Sequence, residues 1–101
     1  MTGATLERDE GRFRLRGALS FASVPGLLAQ RERLFESAPG FVEIDLSGVS
    51  RSDSAGLALL VDWMREAQRR TVDIRYLNMP QQMLAIARVS SLDGILPLER
   101  D

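Results

Sequence analysis

Along the first third of the chain the spacing of apolar side chains switches from two to between three and four. Arg12, Arg14 and Arg16 alternate with Phe13 and Leu15, the period of a half-buried strand, and a strand around Ala4 to Arg8 precedes it across a turn at Asp9, Glu10 and Gly11. From Ser23 the spacing is helical. Val24, Leu27, Leu28, Leu34, Phe35 and Ala38 recur on one side, Ser23 is placed to cap, and Pro25 sits in the first turn, where its missing N–H costs little. Pro39 and Gly40 end this predicted helix. The next strand is Phe41 to Leu46, with Val42, Ile44 and Leu46 facing one way and Glu43 and Asp45 the other. A loop from Ser47 to Asp53 then leads into a helix from Ser54 to about Arg70. A strand at Val72 to Leu77 follows, then a helix from Gln81 to about Ser90 begun by Pro80. Gly94 and Pro97 punctuate a tail with room for one more edge strand.

Three of these strands carry charge on the same alternate face: Arg12, Arg14 and Arg16; Glu43 and Asp45; Asp73 and Arg75. A parallel sheet buried on both sides reads as continuous apolar runs, so the alternation predicts helices mainly on one face and solvent on the other. The β-β-α-β-α-β-α order therefore predicts an α/β, two-layer sandwich with a mixed sheet of about four to five strands. At 101 residues, 1–101 reads as a single domain.

Composition narrows the chemistry. Thirteen cations against fourteen acids leave a net charge of -1, which supplies no global field for nucleic acid or an anionic membrane. Cysteine and histidine are absent, removing disulfides, thiol catalysis, imidazole bases and the commonest metal ligands. Every cation is arginine, so there is no Schiff-base amine and no phosphate-loop lysine. The longest apolar run, Leu57 to Val61, is far short of the ~18 residues of a membrane span, and Met1 to Glu10 lacks the pattern of a secretory leader. These features lead us to expect a cytoplasmic, non-enzymatic protein with no cofactor.

The segment VSRSDSAGLALL, Val49 to Leu60, carries the most specific information. Ser54 follows Asp53 at a strand-to-helix junction, and two readings stand side by side. The hydroxyl is simply an N-cap, or it sits where the positive helix end stabilises an added phosphate or a partner's acidic group. Gly56, one turn in, costs about 1 kcal/mol of helix propensity relative to alanine, which points to a required close approach.

Asp53-Ser54-Ala55-Gly56-Leu57, preceded by Ile44-Asp45-Leu46-Ser47 and Val49, resembles the signature of STAS domains, the fold of anti-sigma factor antagonists and of sulfate-transporter tails. The longer run from Ser50 to Leu60 is most similar to the MlaB branch, the STAS subunits of MlaFEDB-type phospholipid transporters. The element order fits that fold over nearly the whole chain. The resemblance implies an adaptor without catalytic or metal-binding residues, docked on an MlaF-like ABC transporter ATPase and held peripherally at the inner membrane without inserting into it. Its role would be in phospholipid traffic that maintains outer-membrane asymmetry. It also implies a partner-binding site at Ser52, Asp53, Ser54, Ala55 and Gly56. The other branch implies an anti-sigma factor antagonist whose Ser54 is phosphorylated by an anti-sigma factor kinase.

On the second helix Leu57, Leu60, Val61, Met64 and Ala67 form the predicted core stripe. Ala55, Leu59 and Trp63 form another row, either the core margin with one ordinary exposed leucine or an aromatic-anchored extension of the partner site. Asp62, Arg65, Glu66 and Arg69 are placed to form its polar rim. Elsewhere the signals are blander. The row of Arg12, Arg14 and Arg16 is neutralised by Glu43, Asp45 and Asp73 as a salt-bridged face, and Arg31 snorkels from the apolar side of the first helix. Asp45 and Asp53 lack a third ligand or substrate pocket, and a core this small leaves little volume for acyl chains.

Overall fold

The N-terminal strands are joined by a turn of two residues, Glu10 and Gly11, both at positive φ (51° and 82°), the conformation that matches a tight hairpin to strand twist. The structure, a computed structural model, describes residues 3–36 and 40–100. Its elements are β1 (Thr5–Asp9), β2 (Arg12–Leu19), α1 (Val24–Leu28), α2 (Arg31–Phe35), β3 (Phe41–Ser52), α3 (Ser54–Arg69), β4 (Asp73–Leu77), α4 (Gln81–Val89) and β5 (Leu98–Glu99). The sheet order is β1-β2-β3-β4-β5, antiparallel in the hairpin and parallel thereafter. Each parallel crossover advances one strand in the same direction, and because such crossovers are right-handed the helices fall over one face. Between sheet and helices lie Leu15, Ile44, Leu46, Leu60, Trp63, Tyr76 and Met83, all fully buried. The opposite face carries ion pairs, with Arg12–Glu43 at 3.5 Å and Arg14–Asp45 at 3.9 Å as expected, whereas Arg16 pairs with Glu7 at 3.3 Å and Asp73 with Arg75 at 2.9 Å.

Expectations for two regions are corrected here. The predicted first helix is two short ones, α1 and α2, separated at Ala29 and Gln30. A short segment carrying Gly26 has little helical stability of its own, and tertiary packing decides its path. The break lets Leu27, Leu34 and Phe35 all bury while Arg31 reaches Asp62 on α3 at 3.3 Å. Ser23 caps nothing: its hydroxyl donates to the Ala18 carbonyl (2.8 Å) and accepts from the Ser20 N–H (3.0 Å). Of the end predicted at Pro39 and Gly40, Pro39, with Ala38 before it, lies outside the described residues.

The second correction is β3, which runs on through the predicted loop to Ser52. Its far half pairs with β2 through an irregular register, Gly17 opposite Val49 and Ala18 opposite Arg51, shifted on either side of Gly17. Gly17 has φ +96°, and a Cβ there would lie 1.8 Å from the Gly3 carbonyl oxygen, so no other residue fits. The extension brings the end of β3 level with the end of β2.

Candidate functional site

Leu19 and Ser52 are register partners at the last positions of β2 and β3. From there the backbone turns directly into α3. Asp53 donates its N–H to the Leu19 carbonyl (3.1 Å), and its carboxylate Oδ1 accepts from the N–H of Ala55 (2.8 Å). Asp53 is therefore the N-cap, in extended conformation, and the expectation of a Ser54 cap is corrected. Ser54 becomes the first residue of the helix, exposed, with no hydrogen bond to its hydroxyl among the described residues.

The close approach read from Gly56 is present. A Cβ at Gly56 would stand 2.1 Å from Ser52 Oγ and 2.8 Å from Leu19 Cβ, so the first turn of α3 lies directly on the strand ends. Ser52 is buried beneath it, its hydroxyl donating to the Asp53 carbonyl at 2.9 Å. The Ser52 backbone is held by Gln82 of α4: its N–H donates to Gln82 Oε1 and its carbonyl accepts from Gln82 Nε2, both at 2.8 Å. Sequence reasoning missed Gln82, because nothing in the spacing after Pro80 sets it apart from Gln81.

The second apolar row is corrected as well. Leu59 is 1% exposed and Trp63 fully buried, so both belong to the core rather than to a partner surface. With the sheet beneath it and α1 alongside, α3 is covered over more of its circumference than a single stripe, and the buried sector is rotated toward Leu59 and Trp63. Ala55 and Gly56 are buried too. The exposed row of α3 is Ser54, Ala58 and Arg65, with Val61 and Asp62 half-buried beside it. Of the predicted rim, Asp62 pairs with Arg31, while Glu66 is nearly buried and bonds Arg69 and Arg70. Arg65 alone is exposed and unpaired among the described residues.

The titratable groups near the sheet are tied down rather than poised. Burial pushes the Asp45 carboxyl up, but hydrogen bonds from Ser47 and Asn78, with the Arg14 guanidinium, outweigh it and hold its pKa below the usual carboxylate value. Tyr76 is pushed well above its ordinary pKa by burial, its hydroxyl donating to the Leu60 carbonyl. Among the described residues there is no group of three or more side chains suited to a metal ion. A hollow of about 160 Å³ between α3 and β4, lined by Met64, Ile74 and Ile95, and one of about 520 Å³ over the open sheet face, lined by Arg12, Arg14 and Glu43, include no residue of the Ser54 loop. What the segment from Ser52 to Gly56 offers to solvent is Ser54, on a turn held by hydrogen bonds.

Residues 2–97 match the family described as Mlab, STAS domain. The intermembrane phospholipid transport system binding protein MlaB of Haemophilus influenzae is 39% identical over 51 residues, which are 50% of this chain and 49% of that protein. The match thus spans about half the length of the curated relative. The unphosphorylated anti-sigma factor antagonist SpoIIAA superposes with a TM-score of 0.75 at 22% identity, over 97% of this chain and 87% of that one. An anti-sigma factor antagonist from Mycobacterium paratuberculosis does so at 0.75 and 21%, over 94% and 82%. At these identities the two structures speak to the fold alone. No helix among the described residues is long and apolar enough to cross a membrane.

Proposed function

This chain belongs to the Mlab-type STAS domain family, and from that premise we propose that it is a non-enzymatic adaptor binding the ATPase subunit of an MlaFEDB-type phospholipid transporter. It supports assembly and activity of that complex from the membrane-peripheral side. The observation that carries the reading is the placement of Ser54: exposed on the first turn of α3, above a strand end clamped by Leu19, Gln82 and the Gly56 contact. A hydroxyl so rigidly presented is preorganised for a protein contact. Asp53 and Ser52 shape the loop from beneath.

A second reading is favoured by the same hydroxyl, which is exposed and uncommitted: phosphorylation of Ser54 by an anti-sigma factor kinase, in an antagonist of that kind. Pulldown separates the two, since the first recovers a transporter ATPase and the second a kinase-fold anti-sigma factor. Within the first reading, Ser54→Asp places a negative charge at a helix N-terminus, where it is tolerated, so the variant folds. We expect it to lose co-purification with the ATPase. A folded Ser54→Asp protein that binds the ATPase like wild type removes Ser54 from the interface.

A further inference from the structure

We infer that Gln82 is a positioning residue for the partner site: it stands in for a missing strand beside Ser52 and so fixes where Ser54 is presented, an inference that rests on the reading of Ser54 as a partner contact. β3 outruns its neighbour on one side. β4 ends at Leu77, opposite Asp45, whereas β3 continues to Ser52, where β2 still accompanies it on the other side. Backbone groups of successive strand residues point to alternate sides. The Asp53 N–H goes to the Leu19 carbonyl of β2 at 3.1 Å, so the N–H and carbonyl of Ser52 face the side that β4 has left. The Gln82 side-chain amide meets both, its Oε1 accepting from the N–H and its Nε2 donating to the carbonyl, each at 2.8 Å. A single amide group thus supplies the acceptor and the donor that an adjoining strand would have offered there.

The clamp is anchored apart from the site it holds. Met83 and Ala87 are fully buried and seat α4 in the core, while Gln82 stays exposed in the first turn of that helix. The neighbouring Gln81 side chain, also exposed, makes no hydrogen bond among the described residues, so the contact belongs to position 82 and not to the polarity of the turn. Only Asp53 separates Ser52 from Ser54, and it is held in turn by its N–H on Leu19 and its carboxylate on the Ala55 N–H. With Ser52 gripped from both sides, the peptide planes that lead to Ser54 are restrained from both sides. Without the Gln82 amide, the Ser52 N–H and carbonyl turn to water, and the strand end is left to its β2 pairing and the Gly56 contact. The fraction of molecules that present Ser54 in the binding geometry then falls, and apparent affinity falls with it. Loss of a side chain that merely packed would lower stability and leave that fraction unchanged.

The test titrates the purified ATPase subunit of the organism's phospholipid transporter against wild type and three variants, at a temperature where melts show each folded. Gln82→Met keeps the side-chain length and loses both hydrogen bonds, Gln82→Glu keeps an acceptor for the Ser52 N–H and loses the donor, and Gln81→Met is the control. In the free proteins, hydrogen exchange of the Ser52 amide should be about tenfold faster in Gln82→Met and close to wild type in Gln82→Glu. Affinity for the ATPase should fall about tenfold in Gln82→Met, less in Gln82→Glu, and not in Gln81→Met. In a Ser54→Ala background the loss caused by Gln82→Met should shrink, because it acts through Ser54; a loss that adds in full would make Gln82 a direct contact and overturn the positioning role. If Gln82→Met does not fold, Gln82→Glu carries the test, and wild-type affinity in that variant overturns the inference. If Ser54→Asp loses binding while Gln82→Met binds like wild type, Gln82 is not a positioning residue and the Ser54 reading stands. If wild type itself does not bind the ATPase, both fail together.

Discussion

At its C-terminal end α3 is held by pairs of charged side chains, and at its N-terminal end by hydrogen bonds made to backbone groups. Arg70 bonds Glu66 at 2.7 Å and Glu32 at 2.6 Å, and its guanidinium lies 4.9 Å from the Phe35 ring centroid. Arg69 and Arg31 add to the same carboxylate, so that end is closed on itself against α2. At the other end the attachments are Leu19 carbonyl to Asp53 N–H, Asp53 carboxylate to Ala55 N–H, and the Gln82 amide on Ser52. Backbone groups are what is fastened there, by Leu19, Asp53 and Gln82, while Ser54, Ala58 and Arg51 are exposed. Charge is satisfied internally at the C-terminal end of this helix, and the N-terminal end is the one we propose for recognition.

The sharpest way to break this comparison is to place one charge on two adjacent positions near the N-terminal end. Leu59→Arg buries a cation with no partner, a cost of roughly 3 to 5 kcal/mol against a total stability of about 5 to 15. We expect it to lose the cooperative thermal transition. Ala58→Arg lies on the exposed row, keeps the transition within a few degrees of wild type, and weakens capture of the ATPase. A well-folded Leu59→Arg protein would contradict the observed phase of the helix. An Ala58→Arg protein that binds normally would remove the exposed row from the interface.

A smaller effect is expected at Gly56. Alanine gains about 1 kcal/mol of helix propensity but drives a methyl into Ser52 Oγ and Leu19 Cβ, so a net loss of roughly 1 to 3 kcal/mol is expected in urea unfolding. Adding Ser52→Ala removes the nearer obstacle, and the double variant should recover part of the loss. Full recovery would show that Leu19 yields freely. No loss in the single variant would show that α3 does not need its close seat on the strands.

Much of this was legible in the sequence, and the gaps have physical causes. Period-two alternation located β2, the first half of β3, β4 and the charged sheet face, because a strand with one wet side writes its pattern directly. The glycine after Asp53-Ser54 announced the close approach. The phase of α3 was misread because Leu57, Leu60 and Met64 mark only one margin of a buried sector that neighbouring helices widen toward Leu59 and Trp63. The cap was assigned to Ser54 because Asp and Ser are equally good N-caps, and only the turn geometry chooses between neighbours. Gln82 was invisible for a different reason. Its hydrogen bonds reach a strand end thirty positions away in sequence, and no local period encodes such a contact.

The smallest predicted effect probes the charged end of α3 through pH. Hydrogen bonds from Arg70 and Arg69 outweigh burial and hold the Glu66 carboxyl at about 2, below its ordinary 4.5. The folded state therefore binds its proton less readily than the unfolded chain. That contribution is complete above about pH 4.5 and is lost as pH falls through that value toward about 2. Glu66→Gln should lower the melting temperature near neutral pH and flatten its decline in acid, so that the two curves converge at the low end. Asp45, also held below its usual pKa, keeps some acid dependence in the variant. Because the closed end of α3 is remote from Ser54, Glu66→Gln should leave ATPase binding at neutral pH unchanged. Parallel melting curves for wild type and variant across the acid range would show that Glu66 titrates alike in both states, and binding lost with the glutamate would show that the two ends are not independent.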